Sequence, residues 1–192
     1  MYIILAIIIV ILVFLIGLYN NFVKLRVRID EAWADINVQL KRRYDLIPNL
    51  VETVKGYANH EQETLTAVLE ARAKATQVDI DVANITTEQM AQFAQMQAGL
   101  TGALGKLLAV AEAYPDLKAN ENFLNLQNEL VDTENKIQAS RRFYNTNVRD
   151  LNIAVQSFPG NIIANMFGFS SREFFELEED SVEKEPVKVS FT

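Results

Sequence analysis

The residues best equipped for chemistry are few. One histidine, His60, is followed by Glu61, the opening of the helical His-Glu-x-x-His pattern in which two histidines one turn apart hold zinc and the glutamate activates water. Position 64 is Thr64 rather than histidine, so zinc hydrolysis in that form is excluded. A di-iron bundle needs Glu-x-x-His motifs on two helices, which a single histidine cannot supply. There is no cysteine, and so no disulfide, thiolate nucleophile, thiolate metal site or lipidated amino-terminal cysteine. No Walker loop, dinucleotide fingerprint or Gly-x-Ser-x-Gly elbow occurs either. His60 therefore reads as a polar surface residue, and no catalytic residue, cofactor or metal is expected. A carboxylate-based enzyme remains a minor alternative, with no acidic pair marked out by its context.

The other charged feature is "QLKRRYDLIPNLVETV", Gln39 to Val54, where Lys41, Arg42 and Arg43 run into Pro48. A nucleic-acid or lipid surface would use the cations, whereas a tight link between two helices would use the proline. The net charge of -7 argues against sequence-independent DNA or RNA binding, which needs a basic surface to release counterions. No nucleic-acid partner is expected.

What positions these residues is helix. Seven Gly and four Pro in 192 residues, with abundant Ala, Leu, Gln and Glu, favour long helices over sheet. The first of them is apolar: Met1 to Val23 carries no charged side chain, and Tyr2 to Leu18 ("YIILAIIIVILVFLIGL") is apolar throughout. Seventeen residues give about 26 Å of helix, near the lower limit for crossing a bilayer core, with Tyr19 as an interfacial anchor. A cleaved signal peptide would want basic residues before the run and a small-residue cleavage site after it. Neither is present. Lys24, Arg26 and Arg28 follow the run, so the positive-inside rule places the amino terminus outside and the body in the cytoplasm, with a single-pass anchor.

Beyond the membrane, Phe22, Leu25, Ile29, Ala32 or Trp33, Ile36, Leu40 and Tyr44 continue a helical stripe. Ile47 is biased away from helix by the following proline, and Pro48 suits the first position of a new helix, with Asp45 as a nearby cap. The second stripe is Leu50, Val51, Val54, Tyr57, Ala58, Leu65, Val68 and Leu69. A loop follows, ending at Thr86 and Gln89 in capping-box spacing. The third helix carries Met90, Phe93, Ala94, Gln97, Leu100, Leu104, Leu107, Leu108 and Ala111 and stops around Tyr114-Pro115. Gly99, Gly102 and Gly105 recur within it, which fits either close helix contact or local fraying. In the fourth helix Phe123, Leu130, Ile137, Tyr144, Leu151 and Phe158 lie seven apart, a coiled-coil-like repeat. Its companion positions Leu126, Thr133, Ser140, Asn147 and Ala154 suggest a narrow, partly hydrogen-bonded seam that fixes register.

The expected class is thus all-α: an N-terminal transmembrane helix continuous with an antiparallel four-helix up-down bundle. The boundaries are 1–21 for the anchor and 22–158 for the bundle. Residues 159–175 form an apolar segment that caps the bundle or lies at the membrane interface, and 176–192 an acidic tail expected to be disordered, with "VKVSF" as a short docking strand. Lys24 to Lys41 is about 26 Å of helix, which carries the basic run away from the bilayer. The run then reads as a bend, with Arg42 and Arg43 at a solvated helix end or on a protein contact.

"RIDEAWADINVQLKRRYDLIPNLVETVKGYANHE", "NENFLNLQNELVDTENKIQASRRFYNTNVRDLN" and "FPGNIIANMFGF" with "REFFE" resemble the bacterial LemA family in order and over nearly the whole chain. The resemblance implies a membrane-anchored helical bundle with no established enzymatic activity. Some members take part in magnetosome membrane formation and others are encoded beside membrane proteases or envelope proteins, which implies membrane organisation or adaptor work. The matching residues Trp33, Arg42, Arg43, Asp45, Leu46, Pro48, Asn49, Tyr57, Glu134, Arg141, Arg142, Phe143, Tyr144 and Asn145 are expected to be structural or interface positions. Arg141 and Arg142 are too far from Glu134 along one helix to pair with it, so partners elsewhere are expected. Tyr2, Leu18, Tyr19, Lys24, Arg26 and Arg28 define the anchor. The expected function is a non-catalytic, self-associating membrane scaffold in contact with lipid. The alternative is an adaptor for a membrane protease, transporter or envelope protein.

Overall fold

The computed structural model describes residues 1–58, 60–78 and 80–176, and among the described residues all regular structure is helical. The helices are α1 Tyr2–Lys55, α2 Gln62–Thr76, α3 Thr87–Ala111, α4 Pro115–Lys118, α5 Glu121–Gln156 and α6 Gly160–Phe167. The all-α class agrees with the sequence reading, and α1 is the one helix among the described residues long and apolar enough to cross a membrane.

The expected break in the first helix is corrected. α1 runs through Pro48 and ends at Lys55, so the expected break at Ile47-Pro48 does not occur. A proline inside a helix frees the carbonyl four residues earlier, here that of Tyr44. Arg72 supplies the missing donor: its Nε bonds to the Tyr44 carbonyl oxygen at 2.7 Å. The chain turns instead at Gly56, just past the basic last turn at Lys55, where the Tyr57 and Ala58 amides close on the Val54 carbonyl.

The chain divides into two compact units, to both of which α1 and α5 contribute. The first joins Met1–Ile36 with Ala139–Phe174. Its core holds Phe22, Leu25, Ile29, Ala32, Trp33 and Ile36 of α1, Tyr144, Val148 and Leu151 of α5, and Ile163 and Ala164 of α6. The second joins Asn37–Gln138 with Phe175 and Glu176. Its core gathers Ile47, Leu50, Val51 and Val54 of α1, Leu65, Val68 and Ala75 of α2, Leu100, Leu104, Leu107 and Ala111 of α3, and Phe123 and Leu130 of α5. Most residues of the stripes read from the sequence lie on these buried faces, each large side chain contributing about 1.5–3 kcal/mol on burial, whereas Tyr57 and Leu69 of the second stripe are exposed.

Helix starts follow local chemistry. At Thr86 the expected capping box is present: the Gln89 amide donates to Thr86 Oγ1 at 3.2 Å and the Thr86 amide to Gln89 Oε1 at 2.9 Å. Asn120 caps α5 by accepting from the Phe123 amide at 3.0 Å. α3 ends at Ala111, and Pro115 opens the short α4.

The glycines split into two kinds. A Cβ added at Gly99, Gly102 or Gly105 would meet no described atom within 4 Å, so close packing is not what these three provide here. Gly99 and Gly102 instead line a groove of about 740 Å³ between α2 and α3, together with Ala67, Ala71 and Ala103 and the charged Glu70 and Lys106. Gly160 is the opposite case: a Cβ there would fall 2.5 Å from the Ala154 carbonyl oxygen. Gly168 ends α6 with φ +72°, the left-handed region that glycine adopts without strain.

The seven-residue repeat of α5 is buried from Phe123 to Leu151, but Phe158 falls beyond the helix and is 81% exposed. Along the companion row, Thr133 Oγ1 donates to the Glu129 carbonyl and Asn147 Nδ2 to the Phe143 carbonyl. These polar groups are satisfied on their own helix rather than across a seam. The tail from Leu177, including Val187 to Phe191, lies outside the described residues.

Candidate functional site

Arg43 stands on α1 between Leu40 and Ile47, at the spacing of the buried stripe, and is 1% exposed. This corrects its assignment to a solvated helix end. A buried guanidinium costs several kcal/mol unless its protons are partnered. Nη1 donates to Glu134 Oε2 on α5 at 2.9 Å and to Thr101 Oγ1 on α3 at 3.4 Å, and Nη2 donates to Gln97 Oε1 on α3. Nε has no partner among the described residues.

Next along α1, the Tyr44 hydroxyl accepts from Gln97 Nε2 at 2.7 Å and donates to the Ala75 carbonyl at 3.3 Å. Thr101 Oγ1 donates to the Gln97 carbonyl at 3.1 Å. With the bond from Arg72 to Tyr44, the cluster ties α1, α2, α3 and α5 together through polar groups inside an apolar core. Chemically it is a clamp. The guanidinium only donates, the one carboxylate is engaged by it, and within the cluster no hydroxyl faces a general base. Among the described residues no group of three His, Cys, Asp or Glu is placed to hold a metal ion, and His60 is exposed.

Arg42 lies on the surface, 3.7 Å from both Glu129 and Asp132 of α5. The Asp132 carboxyl is held below its ordinary range, chiefly by the hydrogen bond from Lys136, against some desolvation, with the charges of Lys136 and Arg42 adding to the lowering. Asp45 and Asn49 are exposed and Leu46 and Pro48 half-buried. Tyr57 is bonded through its hydroxyl to Asn120 Nδ2 at 3.0 Å, which fastens the α1–α2 turn to the cap of α5.

The remaining signature residues belong to the first unit. Trp33 and Tyr144 are buried with ring centroids 5.4 Å apart, and the Tyr144 hydroxyl donates to the Glu173 carbonyl at 2.9 Å. Burial pushes the Tyr144 hydroxyl well above its ordinary pKa; the Arg172 charge opposes that rise, while those of Glu173 and Asp30 add to it. Asn152 grips the same segment, its Nδ2 donating to the Arg172 carbonyl at 3.0 Å and its Oδ1 accepting from the Arg172 amide at 2.9 Å. Arg141 is buried, Asn145 half-buried, and Arg142 and Phe143 exposed. Of the anchor residues, Tyr2, Tyr19, Lys24, Arg26 and Arg28 are exposed and Leu18 is half-buried.

Arg43 and Glu134 therefore meet in one cluster, whereas Arg42, Trp33, Tyr57 and Tyr144 serve other contacts. Sequence reasoning missed Tyr44, Arg72, Gln97 and Thr101 as members. Two of its signals were legible: Arg43 and Gln97 are polar residues at apolar stripe positions, which implies a buried partner for each.

Several known proteins are similar. The chain is 26% identical over 164 residues to Protein LemA of Metamycoplasma hominis, a match covering 85% of this chain and 71% of that protein. It is 24% identical over 174 residues to Magnetosome protein MamQ of Magnetospirillum gryphiswaldense, and 24% over 175 residues to Magnetosome protein MamQ 2 of Paramagnetospirillum magneticum. These two matches cover 82% of this chain but 64% of each relative, just under two thirds of their length. The family profile described as LemA family matches residues 32–191, most of the sequence, and the chain belongs to the LemA family.

Proposed function

We propose that this chain is a single-pass, membrane-anchored helical-bundle protein without catalytic activity, which self-associates into a scaffold that organises membrane. The observation that carries this reading is the change of environment along α1. The large apolar side chains from Tyr2 to Phe14 are all about half-exposed or more, whereas from Phe22 onward the same helix buries its apolar stripe. Such an apolar surface is unfavourable in water and suits a hydrocarbon core. In this reading α1, α2, α3 and α5 run up and down as an antiparallel bundle, and the basic residues after the span hold the body in the cytoplasm beneath the inner membrane. Kinship with magnetosome proteins supports organising work.

The test is the mass and shape of the full-length chain extracted with its own lipids, by mass photometry and negative-stain imaging, against a chain lacking Met1 to Asn21. A large ordered assembly that needs the anchor is expected. A lone protomer would overturn the scaffold. Labelling of Ser181→Cys by an impermeant reagent in intact cells would overturn the cytoplasmic assignment.

The second reading is an adaptor for a membrane protease or transporter. It is favoured by the α2–α3 groove, whose glycines no described residue covers. Affinity purification from native membranes would then recover a stoichiometric partner that is lost when Arg42 is reversed in charge or Glu176 to Thr192 are deleted.

A further inference from the structure

From Leu151 to Ser171 the chain carries no charged side chain, and α6 lies within this stretch. α6 is two-faced. Gly160, Ile163 and Ala164 are buried, whereas Ile162 is 51%, Met166 68% and Phe167 55% exposed, and Phe158 just ahead of the helix is 81% exposed. Within α6, Ile162 and Met166 stand four residues apart on one face, and Phe158 is exposed just ahead of it. Large apolar side chains exposed together in this way mark an interaction face.

The contacts of α6 with α1 say where that face points. At one end, a Cβ on Gly160 would lie 3.4 Å from the Phe22 ring. At the other, the Phe167 ring is 4.9 Å from that of Tyr19, centroid to centroid. Tyr19 and Phe22 are three residues apart, about 4.5 Å of helical rise, yet the eight residues of α6 extend about 12 Å. Both ends of α6 therefore reach side chains of the same turn of α1, which holds α6 beside that turn. That turn is where the apolar run ends. Phe169, next after Gly168, stacks on Phe22 at 5.0 Å and stands 5.7 Å from Tyr19, with the Arg26 guanidinium 5.6 Å from its ring centroid. Aromatic rings at the end of the span, followed by an arginine, are the order of residues at a membrane–water boundary.

We propose that α6 is an in-plane membrane helix, which seats Phe158, Ile162, Met166 and Phe167 in the headgroup–acyl boundary of the leaflet that α1 leaves. The occupant of this face is lipid, because through the contact of Phe167 with Tyr19 the face is continuous with the span itself. A short two-faced helix held beside the end of a span can lay its apolar face into the boundary, and the expected insertion is about 5–10 Å. This inference rests on the reading of Tyr2 to Leu18 as a membrane span.

The chain lacks cysteine, so each variant Met166→Cys, Ile9→Cys and Val38→Cys carries one label site, all at exposed positions. Each is labelled with an environment-sensitive fluorophore and reconstituted into phosphatidylcholine–phosphatidylglycerol vesicles bearing nitroxide quenchers near the headgroup or near the acyl end. The label at position 166 is expected to emit to the blue of that at 38 and to lose most of its emission to the shallow quencher and little to the deep one. Ile9→Cys should respond to the deep quencher, and Val38→Cys to neither. Quenching at 9 without quenching at 166 would overturn the in-plane helix while leaving the anchor standing. No quenching at either would overturn both. A blue-shifted but unquenched label at 166, with energy transfer between copies that fades on dilution into excess lipid, would place a second copy on this face and overturn the lipid assignment.

Discussion

The Nε of Arg72 on α2 donates at 2.7 Å to the carbonyl oxygen of Tyr44 on α1, the carbonyl that Pro48 leaves without a partner inside its own helix. The two residues are 28 positions apart. Arg72→Met is expected to cost about 1–3 kcal/mol, the penalty of an unsatisfied backbone acceptor. With Pro48→Ala the residue at 48 regains an amide that reaches Tyr44, so the same Arg72→Met change should cost much less. Chemical denaturation followed by far-ultraviolet circular dichroism of the four chains of this cycle measures the coupling. Equal costs in the two backgrounds would refute the compensation.

The ion pair of Arg43 and Glu134 is lopsided, with side-chain exposures of 1% and 28%. Glu134→Leu strands a cation in the core and should cost about 3 kcal/mol or more. Arg43→Met leaves a carboxylate that reaches water and an orphaned Gln97 oxygen, costing about 1–3 kcal/mol. The double variant should cost less than the sum of the two. An additive result in denaturation melts would mean that the pair contributes nothing specific.

The glycines should behave oppositely on substitution by alanine. At Gly99, Gly102 and Gly105 an added Cβ meets open space, so each change should stabilise α3 by up to about 1 kcal/mol. At Gly160 it meets the Ala154 carbonyl oxygen at 2.5 Å, an overpacking that should destabilise by about 1–3 kcal/mol. Thermal melts rank the four. A stability gain at Gly99 or Gly102 accompanied by loss of a co-purifying partner would identify the groove as a docking surface.

Tyr144 sets an alkaline limit. Its folded-state pKa is raised by burial above the unfolded value of about 10, so the folded chain holds this proton more tightly than the unfolded one. The stability from this group is then fully present below about pH 10 and is lost as pH rises from there toward the folded pKa. Tyr144→Phe abolishes this dependence but also frees the Glu173 carbonyl, so it should lower stability at neutral pH while flattening the alkaline fall. Denaturation midpoints between neutral and strongly alkaline pH, for the parent and Tyr144→Phe, test the sign.

Much of the architecture is written locally. The unbroken apolar run from Tyr2 to Leu18, the stripes through Ile29, Leu50, Leu100 and Leu130, and the Thr86–Gln89 capping box each report a backbone period or an end condition that neighbouring residues set. These features appear as read. The site was legible only in part, because Arg43 and Gln97 announce themselves as polar residues on apolar stripes but name no partner.

Three further features depended on groups distant in the chain. Pro48 carries a real local bias toward a break, and α1 passes through it only because Arg72 arrives from another helix to satisfy the freed carbonyl. Arg43 looks like a surface cation until Glu134, Gln97 and Thr101 converge on it. Phe158 continues the repeat of α5 in spacing, yet the helix stops before it and leaves it exposed. Sequence pattern encodes periodicity and local backbone preference, whereas burial of a charge or repair of a lost hydrogen bond is settled by which distant donors and acceptors the packing brings within reach.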